Sequence, residues 1–203
     1  MKKLLFAILI FTPFLCNAQT KKDIFNPGVP VVFLGIDFTK TQFTKADEFT
    51  NKSEILRFFV DANNLIHTDF IMNILAKRLD HDSVTPDFTF VTKQNSLVDW
   101  QTVYSDNTGY TVSEEDISAV IRNLGLDQSR YKDHIGMLLV EENCCKTKPL
   151  QTISAVFFNV NDFNILFVKR YELKPAGFGF LNYWGVNNSY ILGAIGKIKK
   201  EIE

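Results

Sequence analysis

Apolar positions along this chain fall into two kinds of run, continuous and helically spaced, and their order predicts the architecture. Val31-Val32-Phe33-Leu34-Gly35-Ile36-Asp37-Phe38 is almost unbroken and rich in β-branched residues. Such a run predicts a central strand covered on both faces. Ile135 to Val140 (IGMLLV) predicts a second. Between them, Ile55, Phe59, Ala62, Ile66, Phe70 and Ile74 recur at helical spacing behind Ser53, a candidate N-cap. They predict one apolar stripe on a long helix, kinked or divided at Asn63-Asn64. Asp87 to Thr92 (DFTFVT) alternates, which predicts a half-buried strand with Phe88 and Phe90 on one face. Leu97, Trp100 and Tyr104 then suit a short helix, capped by Asn95 or Ser96.

The sharpest helical signal opens at Thr111 to Asp116, where three acids sit at the positive end of the helix dipole. Ile117, Val120, Ile121 and Leu124 follow at i, i+3, i+4 and i+7, and Gly125 is the expected left-handed stop. Ile153 to Val160 and Ile165 to Val168 flank Asn161-Asp162 and predict a hairpin. A glycine-aromatic loop, Gly177-Phe178-Gly179-Phe180-Leu181-Asn182-Tyr183-Trp184, leads to a last helix capped by Asn188-Ser189, with Ile191, Ile195, Ile198 and Ile202 as its stripe. Gly193 and Gly196 within it predict close packing. The order β-α-β-α-β-β-α defines an α/β (α+β) fold: one mixed sheet of about five strands, with helices mainly on one face.

The first residues change the address. Lys2 and Lys3, the apolar run Leu4 to Leu15 and the small residues Cys16 and Ala18 have the three-part layout of a secretory signal peptide, cleaved after Ala18. That run is shorter than the ~20 apolar residues a membrane anchor needs, and no later run is longer. The expectation is an exported, periplasmic or secreted protein. It has a signal peptide over 1–18, an extended leader over 19–30 and a single domain over 31–203. Without Lys2 and Lys3, 20 basic side chains face 23 acidic ones, a net charge of −3. No basic surplus is left to neutralise phosphates along a nucleic acid.

Cys144 and Cys145 are the two cysteines of the exported chain, adjacent in the polar stretch Glu141 to Pro149 that reads as a loop. Three readings are open for them. They are plain thiols, a strained vicinal disulfide, or part of a redox or soft-metal site. A serine-nucleophile elbow and a paired-histidine zinc motif are both absent, and His67, His81 and His134 stand far apart. Asp37 at the end of its strand reads as a turn cap. The Gly177/Gly179 loop lacks the third glycine of a dinucleotide site, with Asn182 in its place. A non-catalytic protein without cofactor is expected.

FLGIDF, the late hairpin VFFNVNDFNILFVKR and GFGFLNYW resemble a group of secreted bacterial proteins of uncharacterised function. That group often carries an arginine where Leu181 stands. The element order also resembles the amino-terminal domain of the Tol-system protein TolB and envelope lipoproteins of the curli-secretion type. The latter resemblance implies protein–protein contact in the cell envelope and supplies no catalytic residues. The candidate patch for an envelope partner is Phe178, Phe180, Tyr183 and Trp184, provided they lie outside the core. The alternatives are a thiol or soft-metal protein using Cys144 and Cys145, and a small-ligand binder with a pocket between the sheet and the long helix.

Overall fold

The computed structural model describes residues 19–45, 52–177, 179 and 181–203. The signal-peptide reading of 1–18 falls outside the described residues, as do Phe178 and Phe180.

The sheet is built around its longest strand, β5. Strands β1 (Val31–Asp37), β2 (Gln42–Thr44), β3 (Thr85–Pro86), β4 (Tyr104–Ser105), β5 (Ile135–Cys145), β6 (Leu150–Asn159) and β7 (Ile165–Leu173) form one mixed sheet. β1 runs parallel to the first half of β5, from Val31 opposite Ile135 to Asp37 opposite Val140. β2 takes the second half of the same edge, from Gln42 opposite Asn143 to Thr44 opposite Cys145. β6 lies antiparallel along the other edge, and β7 pairs with β6 as the predicted hairpin. β3 extends β1, and β4 extends β2. Every residue of β1 and β5 is buried, as their unbroken apolar runs require.

The helices are α1 (Ile55–Ile66), α2 (Asp69–Arg78), α3 (Thr89–Asn95), α4 (Glu114–Asn123), α5 (Val186–Ala194) and α6 (Lys199–Ile202), with a 3-10 turn, Ile195–Ile198, joining the last two. α4 forms where predicted, with the Ser113 hydroxyl accepting from the Asp116 amide and Gly125 at φ +67°. The stripe Ile191, Ile195, Ile198 and Ile202 is buried throughout. Gly196 packs closely, since a Cβ there would stand 2.9 Å from the Arg78 carbonyl oxygen, but Gly193 has open space beside it.

Four local expectations are corrected. The long helix divides at His67-Thr68, where the Thr68 hydroxyl accepts from the Ile71 amide and starts α2. Asn63 is no break; it is buried within α1. The stripe shifts with the division, so Ile71, Met72 and Leu75 go inward and Phe70 is 72% exposed. Residues 89–95 are helix instead of strand, because the Asp87 carboxylate accepts from the Thr89 amide and hydroxyl and turns the chain. The segment after it is turns and β4 where a helix was expected, with Leu97 72% exposed. Finally, Lys21–Phe25 in the expected extended leader forms a 3-10 turn that buries Ile24, whose carbonyl meets the His81 ring at 3.0 Å.

Candidate functional site

A groove between α1 and α3 holds open space, and a buried layer where β5 meets β6 concentrates polar groups.

The groove follows from two helical faces. Leu56, Phe59, Val60, Asn63, Asn64 and His67 recur along one side of α1, and Thr89, Thr92, Lys93 and Ser96 along one side of α3. The helices do not meet fully, and a groove of about 790 Å³ remains, floored by Phe59 and Phe88. The His67 ring stacks on Phe88 with centroids 4.5 Å apart. Val60 on one wall is 51% exposed, and Leu97 just past Ser96 is 72% exposed.

The floor's polar groups are already bonded. β1 leaves β3 after Phe33, so its next amides and carbonyls need other partners. Asn63 Oδ1 accepts from the Ile36 amide at 2.8 Å, and its Nδ2 donates to the Ile36 and Phe59 carbonyls. Asn95 Oδ1 accepts from the Phe38 amide at 2.8 Å, and its Nδ2 donates to the Ile36 carbonyl. Gly35 permits this, at φ +95° and with no room for a Cβ, which would stand 2.5 Å from Asn63 Oδ1. Asn63→Ala is expected to lower the unfolding free energy by about 2 kcal/mol, because it strips a buried amide of its acceptor. Urea unfolding measures this, and a loss within error would show that water replaces Asn63 as the acceptor of the Ile36 amide.

Asp87 also borders the groove. Its Oδ2 accepts from the Tyr131 hydroxyl at 2.6 Å and from Arg130 at 3.0 Å. Burial pushes its carboxyl up, but the Thr89 and Tyr131 hydroxyls and Arg130 outweigh that and hold it below the ordinary range. Tyr131 is pushed up to about 12 by burial and by that bond. Asp87 is thus a structural cap with its oxygens engaged. Asp37 also caps its turn, accepting from the Thr39 amide and hydroxyl, and burial raises its carboxyl.

The polar layer comes from a bulge in β5 between Glu141 and Asn143. Glu141 and Cys144 face one side of the sheet, and Glu142 and Asn143 face the other. Glu142 Oε1 accepts from Ser154 at 2.6 Å and from Arg170 at 3.0 Å, and its Oε2 accepts from the Val112 amide. Asn143 bonds Thr44 and the Thr108 carbonyl. On the opposite face Glu141 accepts from Gln151 Nε2 at 3.0 Å and from the Cys144 thiol at 3.2 Å. Burial is the main cause that pushes the Glu141 carboxyl up to about 8. Gln151 also donates to the Trp184 carbonyl and accepts from Asn187, while buried Asn188 Nδ2 has no partner.

The candidate residues from the sequence divide accordingly. Trp184 is 1% exposed, edge-on to Phe43 and Tyr183, so it belongs to the core and offers no surface to a partner. Tyr183 is half-buried beside it. Phe178 and Phe180 lie outside the described residues. Cys144 and Cys145 lie on β5 and not on a loop, as two free, buried thiols. Successive strand residues point to opposite faces, which separates their sulfurs. Burial pushes the Cys144 thiol up, away from the thiolate that redox and metal chemistry use. Among the described residues no three His, Cys, Asp or Glu side chains are grouped to hold a metal ion. Asn188, read as a helix cap, is instead buried against Gln151. The groove itself lacked a residue signature; its signal was the amphipathic face of α1.

Fold and site together define a mixed α/β protein with an apolar groove beside a parallel strand whose edge is capped by Asn63 and Asn95. No family model matches the chain, and no curated protein matches it. Among solved structures it is similar to the LpoB C-terminal domain from Salmonella enterica, at 12% identity over 73% of this chain and 84% of that one. The TM-score is 0.29, which does not define a shared fold. No helix among the described residues is long and apolar enough to cross a membrane.

Proposed function

We propose that this chain is a non-catalytic, exported protein of the cell envelope that acts by protein–protein interaction, through the groove between α1 and α3. The groove carries the reading. Its floor is apolar and its floor amides are bonded, so what it offers a partner is mainly apolar contact area. The partner contributes apolar side chains and not an added strand, because Asn63 and Asn95 already occupy the β1 amides that a strand would need. Val60 and Leu97, exposed on the two rims, widen the apolar area beyond the groove.

A photo-reactive residue at Leu97 is expected to cross-link one envelope protein in cells, and Val60→Lys is expected to abolish that adduct with the circular dichroism unchanged. An adduct that survives Val60→Lys would refute the groove as the site. A second reading, a small apolar ligand, is favoured by the groove's volume, which lies within the range of small-molecule sites. It predicts stoichiometric binding of an apolar dye to the pure protein, lost in Thr92→Trp.

A further inference from the structure

We propose that the outward faces of α2 and α5 dock this protein on an anionic lipid surface, with headgroup phosphates held in a cationic cleft at the C-terminal ends of the two helices. Val186, Tyr190 and Gly193 recur at i, i+4 and i+7 on α5, opposite the buried Ile191, Leu192 and Ile195. On α2, Phe70, Ile74 and Lys77 share the face opposite the buried Leu75 and Ala76. The two helices pack against each other. Lys77 from one face and Gly193 from the other line the same cleft of about 370 Å³, so both faces look out on one side of the molecule.

The charge of that cleft selects its occupant. Lys77, Arg78, Lys197, Lys199 and Lys200 line it against one carboxylate, Asp80, which pairs with Lys199. Lys77, Arg78, Lys197 and Lys200 have no ion-pair partner among the described residues. The chain as a whole carries a net charge of −1, so this cluster is a local surplus. The two cleft glycines add no side chain, and the space beside Gly193 is open. A free anion would account for the cations but not for the apolar side chains on the same two faces. Phe70, Val186 and Tyr190 are 72%, 52% and 60% exposed. Cations with exposed aromatic and aliphatic groups on one helical surface match the headgroup and upper acyl layers of an anionic bilayer.

The test is co-sedimentation of the mature chain with vesicles. Vesicles of phosphatidylcholine with phosphatidylglycerol are expected to bind it at low salt and release it at high salt, while phosphatidylcholine alone leaves it in solution. Each lysine near such a surface contributes roughly fivefold to partitioning, so Lys77→Gln with Lys197→Gln should lower binding at least tenfold. Phe70→Ser with Tyr190→Ser should weaken binding at high salt more than at low. All four side chains lie at the surface, so the unfolding midpoint should hold. Equal partitioning onto both vesicle types, no partitioning onto either, or no change in the lysine variant would overturn the proposal. So would saturable binding of glycerol phosphate in the absence of vesicles, which would make the cleft a small-anion site, or equally tight binding of an RNA oligonucleotide. The α1–α3 groove shares no residue with this surface, so Val60→Lys should leave vesicle binding unchanged.

Discussion

Glu141→Gln is expected to stabilise this protein at neutral and alkaline pH and to remove most of the fall in its stability between about pH 4.5 and about pH 8. Burial raises the Glu141 carboxyl from 4.5 to about 8 in the folded chain. Between those values the native state keeps a proton that the unfolded state releases. The unfolded state therefore binds fewer protons, and the unfolding free energy declines as pH rises. The group's contribution is complete below about pH 4.5 and lost once pH passes about 8. A difference of that size amounts to up to about 5 kcal/mol. Glutamine removes the titration and fits the same bonds. Its oxygen can accept from Gln151 Nε2, and its amide can donate to the Cys144 sulfur, the two groups that meet Glu141 now. Urea unfolding of both proteins from pH 5 to pH 9 measures the effect. The curves should lie close together in acid and separate with rising pH; parallel curves would show that water or a rearranged Gln151 solvates the charge.

The reason Glu141 escapes notice in the sequence applies to much of the site. Glu141 to Cys145 is polar, and local pattern assigns it to a loop. It is strand because distant residues supply partners: Thr44, Thr108, Val112, Gln151, Ser154 and Arg170. Burial of polar groups is stable only when such bonds are met, and nothing in a five-residue window shows whether they are. Asn63 misleads in the same way. It looks like a helix breaker, yet it turns inward to bond the Ile36 amide and carbonyl. The true break carried a local signal, Thr68 followed by Asp69, a cap and an acidic first turn. Residues 89–95 show the limit of period counting. Asp87-Phe88-Thr89-Phe90 alternates over too few residues to separate strand from helix, and the Asp87 cap decides it. By contrast α4, the β1 and β5 runs and the β6–β7 hairpin are legible because their determinants are local: caps, spacing and turn residues. The sequence suggested a pocket between the sheet and the first long helix, but the groove lies between α1 and α3. Its open width depends on how α1 and α3 are spaced, which no local pattern encodes.

Trp184→Ala is expected to cost about 4 kcal/mol of unfolding free energy, as large aromatic truncations in a packed core do. Trp184 therefore acts in the fold before it acts on any partner. The indole is 1% exposed, with its ring centroid 6.5 Å from Phe43 at 83° and 4.6 Å from Tyr183 at 88°. Phe43 in turn lies near Phe58 and Phe59 of α1, so the indole joins β2, α1 and the turn that feeds α5 in one aromatic cluster. The Trp184 carbonyl accepts from Gln151 at 3.1 Å, which ties the same turn to the Glu141 layer. Removing the ring leaves a cavity where these elements meet and loosens the α5 entry. Tyr183→Ala, at a half-buried position, should cost less than half as much. Domains of this kind have roughly 5–15 kcal/mol in total, so Trp184→Ala should shift the urea midpoint by a large fraction of its value, with the slope unchanged. A partner-binding tryptophan behaves oppositely, with the midpoint kept and binding lost. That result would return Trp184 to the surface and restore the aromatic segment as the interaction site.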